Sequence, residues 1–244
     1  MGAASPFRQG VKAAIPVWIA FIPVSFALGM GAKAYGLHLG EIVLMSALVY
    51  AGPAQFAALE PLASGKPAVQ ILLTTFLINL RFLVMSAALA PYFGRVKRAT
   101  LLVCSHLLSA SSFILPYTHF RKASRSLAFA ERGEERGRSN LRYFVGVGLT
   151  NFVAWVFGTG LGYWAALSVP AGFEEGLRFM LPAYFACLLT MELRGWTAVL
   201  VGMASFVAAV PGALLSTDWG WLGTALVIGT AGWGIEQWSR RGSR

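Results

Sequence analysis

Residues Pro67–Phe93 read PAVQILLTTFLINLRFLVMSAALAPYF, an apolar run with Asn79 and Arg81 almost at its centre. As one helix it extends about 40 Å, more than the ~30 Å hydrocarbon core of a bilayer. An arginine at mid-depth costs about 2.5–3.5 kcal/mol on insertion scales. Such a charge is tolerated where it faces a protein interior or a wet cavity, so the stretch predicts a membrane span with a functional or ion-paired Arg81. Glu60 and Glu192 are the candidate pairing carboxylates.

The rest of the chain agrees with a bilayer as its solvent. Of its 244 residues 57% are hydrophobic and 12% charged, and mean hydropathy is +0.63. Soluble domains carry about 25% charged residues. Long apolar runs recur throughout, which predicts an all-α, polytopic helical membrane protein of about six to eight segments. The net charge of +10 sits in short segments between apolar runs, as in cytoplasmic loops. No basic face interleaved with aromatics is present, so nucleic acid is not an expected partner. Cys104 and Cys187, far apart within apolar runs, read as small core residues.

In chain order, Val11–Ala32 is the expected first span rather than a cleaved signal peptide, being too long and interrupted by Pro16 and Pro23. Glu41–Ala63 is barely long enough to cross, and Ala51-Gly52-Pro53 breaks it. Interrupted short segments point to the binding sites of transporters. Thr100–Tyr117 is a marginal run whose middle is polar: Ser105, His106, Ser109, Ser111 and Ser112. Residues 121–142 hold seven basic and three acidic side chains and are expected to form a cytoplasmic basic loop. Tyr143–Val169 carries Gly158-x-x-x-Gly162, the spacing of a close helix crossing. Leu177–Leu193, Trp196–Leu214 and Trp219–Trp238 complete the set, and residues 1–244 form one transmembrane domain in this reading.

Basic clusters flank both ends of Thr100–Tyr117. A single crossing there would carry one cluster outside, against the positive-inside bias. Treating this segment and Glu41–Ala63 as re-entrant hairpins keeps every basic cluster on one side and both termini in the cytoplasm. Seven or eight ordinary spans with one violation is the alternative. Leu80-Arg81-Phe82 and Leu177-Arg178-Phe179 form a faint internal echo.

Enzyme chemistry finds no foothold. There is no GxxxxGK[ST], no HExxH, no GxSxG, and no cluster of acidic or His/Cys residues at metal spacing. No cofactor is expected. The polar groups at membrane depth are Tyr50 and Gln55 around the Gly52-Pro53 break, with Asn79 and Arg81 on the long segment. Helix starts exposed at such breaks favour an anionic group, and unwound carbonyls a cation, so the set suits a zwitterion. Interhelical hydrogen bonding alone is the competing role for Gln55 and Asn79. His106, Thr159, Tyr184, Glu192 and Glu236 are weaker candidates.

Met45-Ser46, Tyr50-Ala-Gly-Pro-Ala-Gln-Phe56, Thr74-Thr-Phe-Leu-Ile-Asn-Leu-Arg-Phe82 and Met85-Ser-Ala-Ala-Leu-Ala-Pro-Tyr92 together resemble the AzlC family, as does Leu177-Arg-Phe-Met-Leu-Pro-Ala-Tyr-Phe185. The resemblance covers roughly residues 7–193. It implies the large subunit of a bacterial inner-membrane exporter of branched-chain amino acids, working with a small hydrophobic AzlD-type subunit. On that reading Tyr50, Gly52, Pro53, Gln55, Phe56, Asn79, Arg81 and Phe82 bind the amino acid, with Phe56 and Phe82 against an aliphatic side chain. The chain departs from the family at one point. Many members carry an acidic pair where this one reads Ser109-Ala110-Ser111-Ser112-Phe113, which leaves coupling and substrate open, and Phe82 stands where some have histidine. A non-transporting membrane scaffold and a passive channel are the rival functions.

Overall fold

In the computed structural model, residues 5–126 and 134–168 are described, together with short helical stretches between 179 and 234. The chain divides into two compact units, Met1–Leu181 and Pro182–Arg244. In the second unit, residues 202–205 and 227–232 are helical. The expected segments Leu177–Leu193, Trp196–Leu214 and Trp219–Trp238, with Cys187, Tyr184, Glu192 and Glu236, lie outside the described residues or nearly so.

Among the described residues of the first unit every element is a helix. Helix α1 spans Pro6–Ala34. It tightens to a 3-10 turn at Ile15–Val17, where Pro16 supplies no N–H. Helices α2 (Leu39–Val49) and α3 (Gly52–Ala63) follow, then α4 over Ala68–Tyr92. Helices α5 (Arg98–Ser105) and α6 (Ala110–Ser126) lead to α7, Glu134–Ala166. Three helices, α1, α4 and α7, are long and apolar enough to cross a bilayer. The chain is a helical membrane protein, as its composition requires.

Both short apolar segments fold as hairpins. A groove lined by Tyr35, Glu41 and Met45 also includes Leu62 and Ala63. The end of α3 therefore returns to the end of the bundle where α2 began. At the opposite end, the Phe93 ring packs on those of Phe120 and Phe144, with centroids 6.2 and 5.7 Å apart. Phe93 shares a 420 Å³ cavity with Arg98, Leu101 and Phe144, so α5 starts where α6 finishes. This is the re-entrant arrangement expected for 41–63 and 100–117.

Helices α1 and α7 run parallel and touch backbone to backbone. Gly10 faces the Tyr143 carbonyl and Gly146 that of Phe7; further along both helices, Gly29 faces the Thr159 carbonyl and Gly162 that of Phe26. A Cβ at any of the four positions would collide with main chain, so the crossing foreseen from Gly158-x-x-x-Gly162 is real. Gly158 itself meets the Ser25 hydroxyl. Because the starts of α1 and α7 lie together, Arg8, Lys12 and the bases after Glu134 share one end of the bundle with Arg98 and Arg121. Within the expected basic loop 121–142, residues 121–126 belong to α6 and 134–142 to α7.

Candidate functional site

The tip of each hairpin is built by local sequence. At the first, Tyr50 takes the left-handed conformation (φ 44°, ψ 42°) and ends α2. Gly52 then starts α3 with Pro53 in its first turn, and no side chain caps it. Proline has no N–H to satisfy, so it suits this position, while the amides of Gly52 and Ala54 point out of the helix start. At the second tip, His106–Ser109 separates α5 from α6. Here Ser109 N donates to Ser112 Oγ at 2.7 Å, and Ser112 N to Ser109 Oγ at 3.3 Å, a reciprocal cap.

The tips meet against the middle of α7. Tyr50 Oη donates to Ser109 Oγ at 3.4 Å, and His106 Nε2 donates to the Ala47 carbonyl at 2.8 Å. The Tyr50 and His106 rings both pack on Phe152, with centroids 5.1 and 5.7 Å away. Asn151, Trp155 and Thr159 stand one turn apart on one face of α7, and all three are buried.

Two polar clusters result, and they differ in completeness. In one, Trp155 Nε1 donates to Gln55 Oε1 at 3.0 Å and Gln55 Nε2 to Ser46 Oγ at 2.9 Å. Ser46 donates to Thr159 Oγ1 at 3.2 Å, and Thr159 back to the Trp155 carbonyl at 2.9 Å. This is a closed ring of donors and acceptors with Gln55 at its centre. In the other, Asn151 Nδ2 donates to Ser111 Oγ at 3.1 Å, and Ser111 lies 3.3 Å from Ser109 Oγ. Asn151 Oδ1 is buried and accepts no hydrogen bond. An unsatisfied buried acceptor costs about 1–3 kcal/mol.

Of the residues chosen from sequence, Tyr50, Pro53, Gln55 and Phe56 are buried at the first tip and Gly52 is half-buried beside them. Gln55 has the interhelical role weighed for it. Asn79, Arg81 and Phe82 lie midway along α4 and are half-buried. The Arg81 guanidinium sits 5.1 Å from the centroid of the Phe82 ring, a cation–π contact. Asn79 Oδ1 is buried without a hydrogen bond. The α-helical ladder is interrupted between Asn79 and Arg81: one helical stretch ends at Asn79 and the next begins at Arg81. Leu80 keeps helical angles (φ −53°, ψ −27°), but the bonds around it tighten to three-residue spacing: its N–H donates to the Leu77 carbonyl at 3.3 Å and its carbonyl accepts from Leu83 N at 3.0 Å. Glu60, a candidate partner of Arg81, is exposed near the end of α3, and Glu192 lies outside the described residues. Sequence reasoning missed Asn151, Phe152 and Trp155 as site residues. The only signal was their polar or aromatic character within a glycine-rich apolar run.

Two re-entrant hairpins, each broken at mid-length, with tips joined over a polar stretch of a spanning helix, define a multi-spanning membrane protein with a buried polar centre. The chain belongs to the AzlC family. The family model, described as AzlC protein, matches residues 16–169 and so takes in both hairpins and all of α7. The chain is 28% identical over 213 residues to the inner membrane protein YgaZ of Escherichia coli, covering 86% of this chain and 82% of that one. It is 31% identical over 191 residues to an uncharacterised membrane protein of Archaeoglobus fulgidus, covering 78% of this chain and 77% of that one. No solved structure matches it.

Proposed function

We propose that this protein exports branched-chain or similarly small hydrophobic amino acids across a bacterial inner membrane, as the large subunit of a two-component secondary transporter driven by an ion gradient. Family membership and the two membrane-protein relatives support a membrane transport role. The single observation that carries the reading is the junction of two broken hairpins over a buried polar cluster. Discontinuous helices meeting at mid-depth are how transporters present helix ends to a polar substrate. A membrane-crossing helix needs neither break for stability.

In this reading the amino acid carboxylate lies at the uncapped start of α3, by the amides of Gly52 and Ala54, where the helix dipole favours an anion. Tyr50 and Phe56 border the aliphatic side chain. Gln55 positions the tip through its ring of bonds to Ser46 and Trp155. Arg81, with Asn79 and Phe82, adds positive potential from α4 and draws the anion to mid-depth. The partner is a small hydrophobic AzlD-type subunit in the same bilayer, and both termini of the chain face the cytoplasm.

The experiment is intracellular leucine accumulation during feeding with a leucine-containing dipeptide. Deleting the gene is expected to raise the accumulated leucine and restoring it to lower it again. Equal accumulation with and without the gene defeats the export reading. Equal export by the wild type and Arg81→Ala removes Arg81 from the site while leaving the rest standing.

A further inference from the structure

Asn151 is fully buried at mid-length of α7, with its amide directed at the tip junction. The nitrogen is spent on Ser111 Oγ at 3.1 Å, while the equally buried oxygen accepts nothing. Buried polar atoms are almost always paired, by protein, water or ligand. The groups around it define what it can take. Ser109 and Ser111 hydroxyls are 3.3 Å apart beside it. The adjacent Phe152 carries the Tyr50 ring at 5.1 Å. Two donors near by are already committed, Tyr50 Oη to Ser109 Oγ and His106 Nε2 to the Ala47 carbonyl. Ser109 Oγ already accepts from Tyr50 Oη and Ser112 N, so what is left is the Asn151 amide oxygen and aromatic faces. Both suit a positively charged N–H donor.

We infer that Asn151 Oδ1, flanked by the Ser109 and Ser111 hydroxyls, receives the ammonium group of the transported amino acid. This rests on the exporter reading and adds to it a second pole, on α7, apart from the carboxylate pole at the start of α3. The tip of the first hairpin then holds one end of the zwitterion, and α7 with the second tip the other. Neutral acceptors serve where a carboxylate would cost more to bury.

The test uses the full chain in native membrane vesicles, with labelled leucine competed by unlabelled leucine or by 4-methylpentanoate, which has the same chain and carboxylate but no ammonium. Wild type is expected to prefer leucine by about tenfold or more, the worth of a hydrogen bond to a charged group. Asn151→Leu removes the acceptor at similar volume and is expected to bring the two competitors level. Asn151→Asp keeps an acceptor and is expected to keep the preference. An unchanged preference in Asn151→Leu overturns the inference while the exporter reading survives. So does equal loss in Asn151→Leu and Asn151→Asp, which assigns the effect to the Nδ2 bond with Ser111. No leucine binding by wild type overturns both. Should Asn151→Leu fail to accumulate, Asn151→Ala makes the same comparison.

Discussion

The two hairpin tips turn at the same level of α7 with opposite chemistry. The first uses chain breakers: a left-handed Tyr50, then Gly52 and Pro53, and a helix start that no side chain closes. The second has neither glycine nor proline between α5 and α6, and its Ser109 and Ser112 cap each other. Breakers stop a helix and leave its first amides open; cap residues stop a helix and fill them. The same re-entrant geometry thus carries one open and one closed helix start. On the exporter reading, the difference puts anion affinity at the first tip and leaves the second with hydroxyl oxygens.

That contrast can be broken at three points. Gln55→Leu should have the largest effect. It strips the acceptor from Trp155 Nε1 and the donor from Ser46, both buried, at about 1–3 kcal/mol. Thermal unfolding in detergent should show a clear fall. Ser112→Ala should come next, at about 1 kcal/mol for a lost cap, and should also free Ser109 N to bind anions. Tyr50→Phe should cost least, about 0.5 kcal/mol, because the bond it deletes is long at 3.4 Å. If Tyr50→Phe destabilises more than Ser112→Ala, the first tip is held by its hydroxyl rather than by its breakers, and the contrast is wrong.

Legibility in the sequence followed the same divide. The first break was readable because glycine next to proline within an apolar run has a strong local meaning. The second was readable only through the charge argument, since His106–Ser109 contains no breaker and serine caps look like any polar residue. The membrane class, the α4 span and the glycine crossing were legible because hydropathy and close packing are written locally. The partners of Gln55 were not. Trp155 lies one hundred residues away, and which turn of α7 meets the tip is decided by the parallel packing of α1 on α7. At Leu80 the α-helical ladder is interrupted, but only by a tightened turn. A polar pair in a span marks a place where a helix can open, and without glycine or proline the chain there keeps helical angles and three-residue bonds.

The α1–α7 contact also constrains how this molecule can move. Four glycines press main chain against main chain at two levels of the pair, so neither helix can slide past the other by even one residue without a steric clash. The pair acts as a stator. On the exporter reading, the rocking that exposes the centre first to one compartment and then to the other is carried by the re-entrant arms, pivoting at Tyr50 and at His106, against a post that stays still.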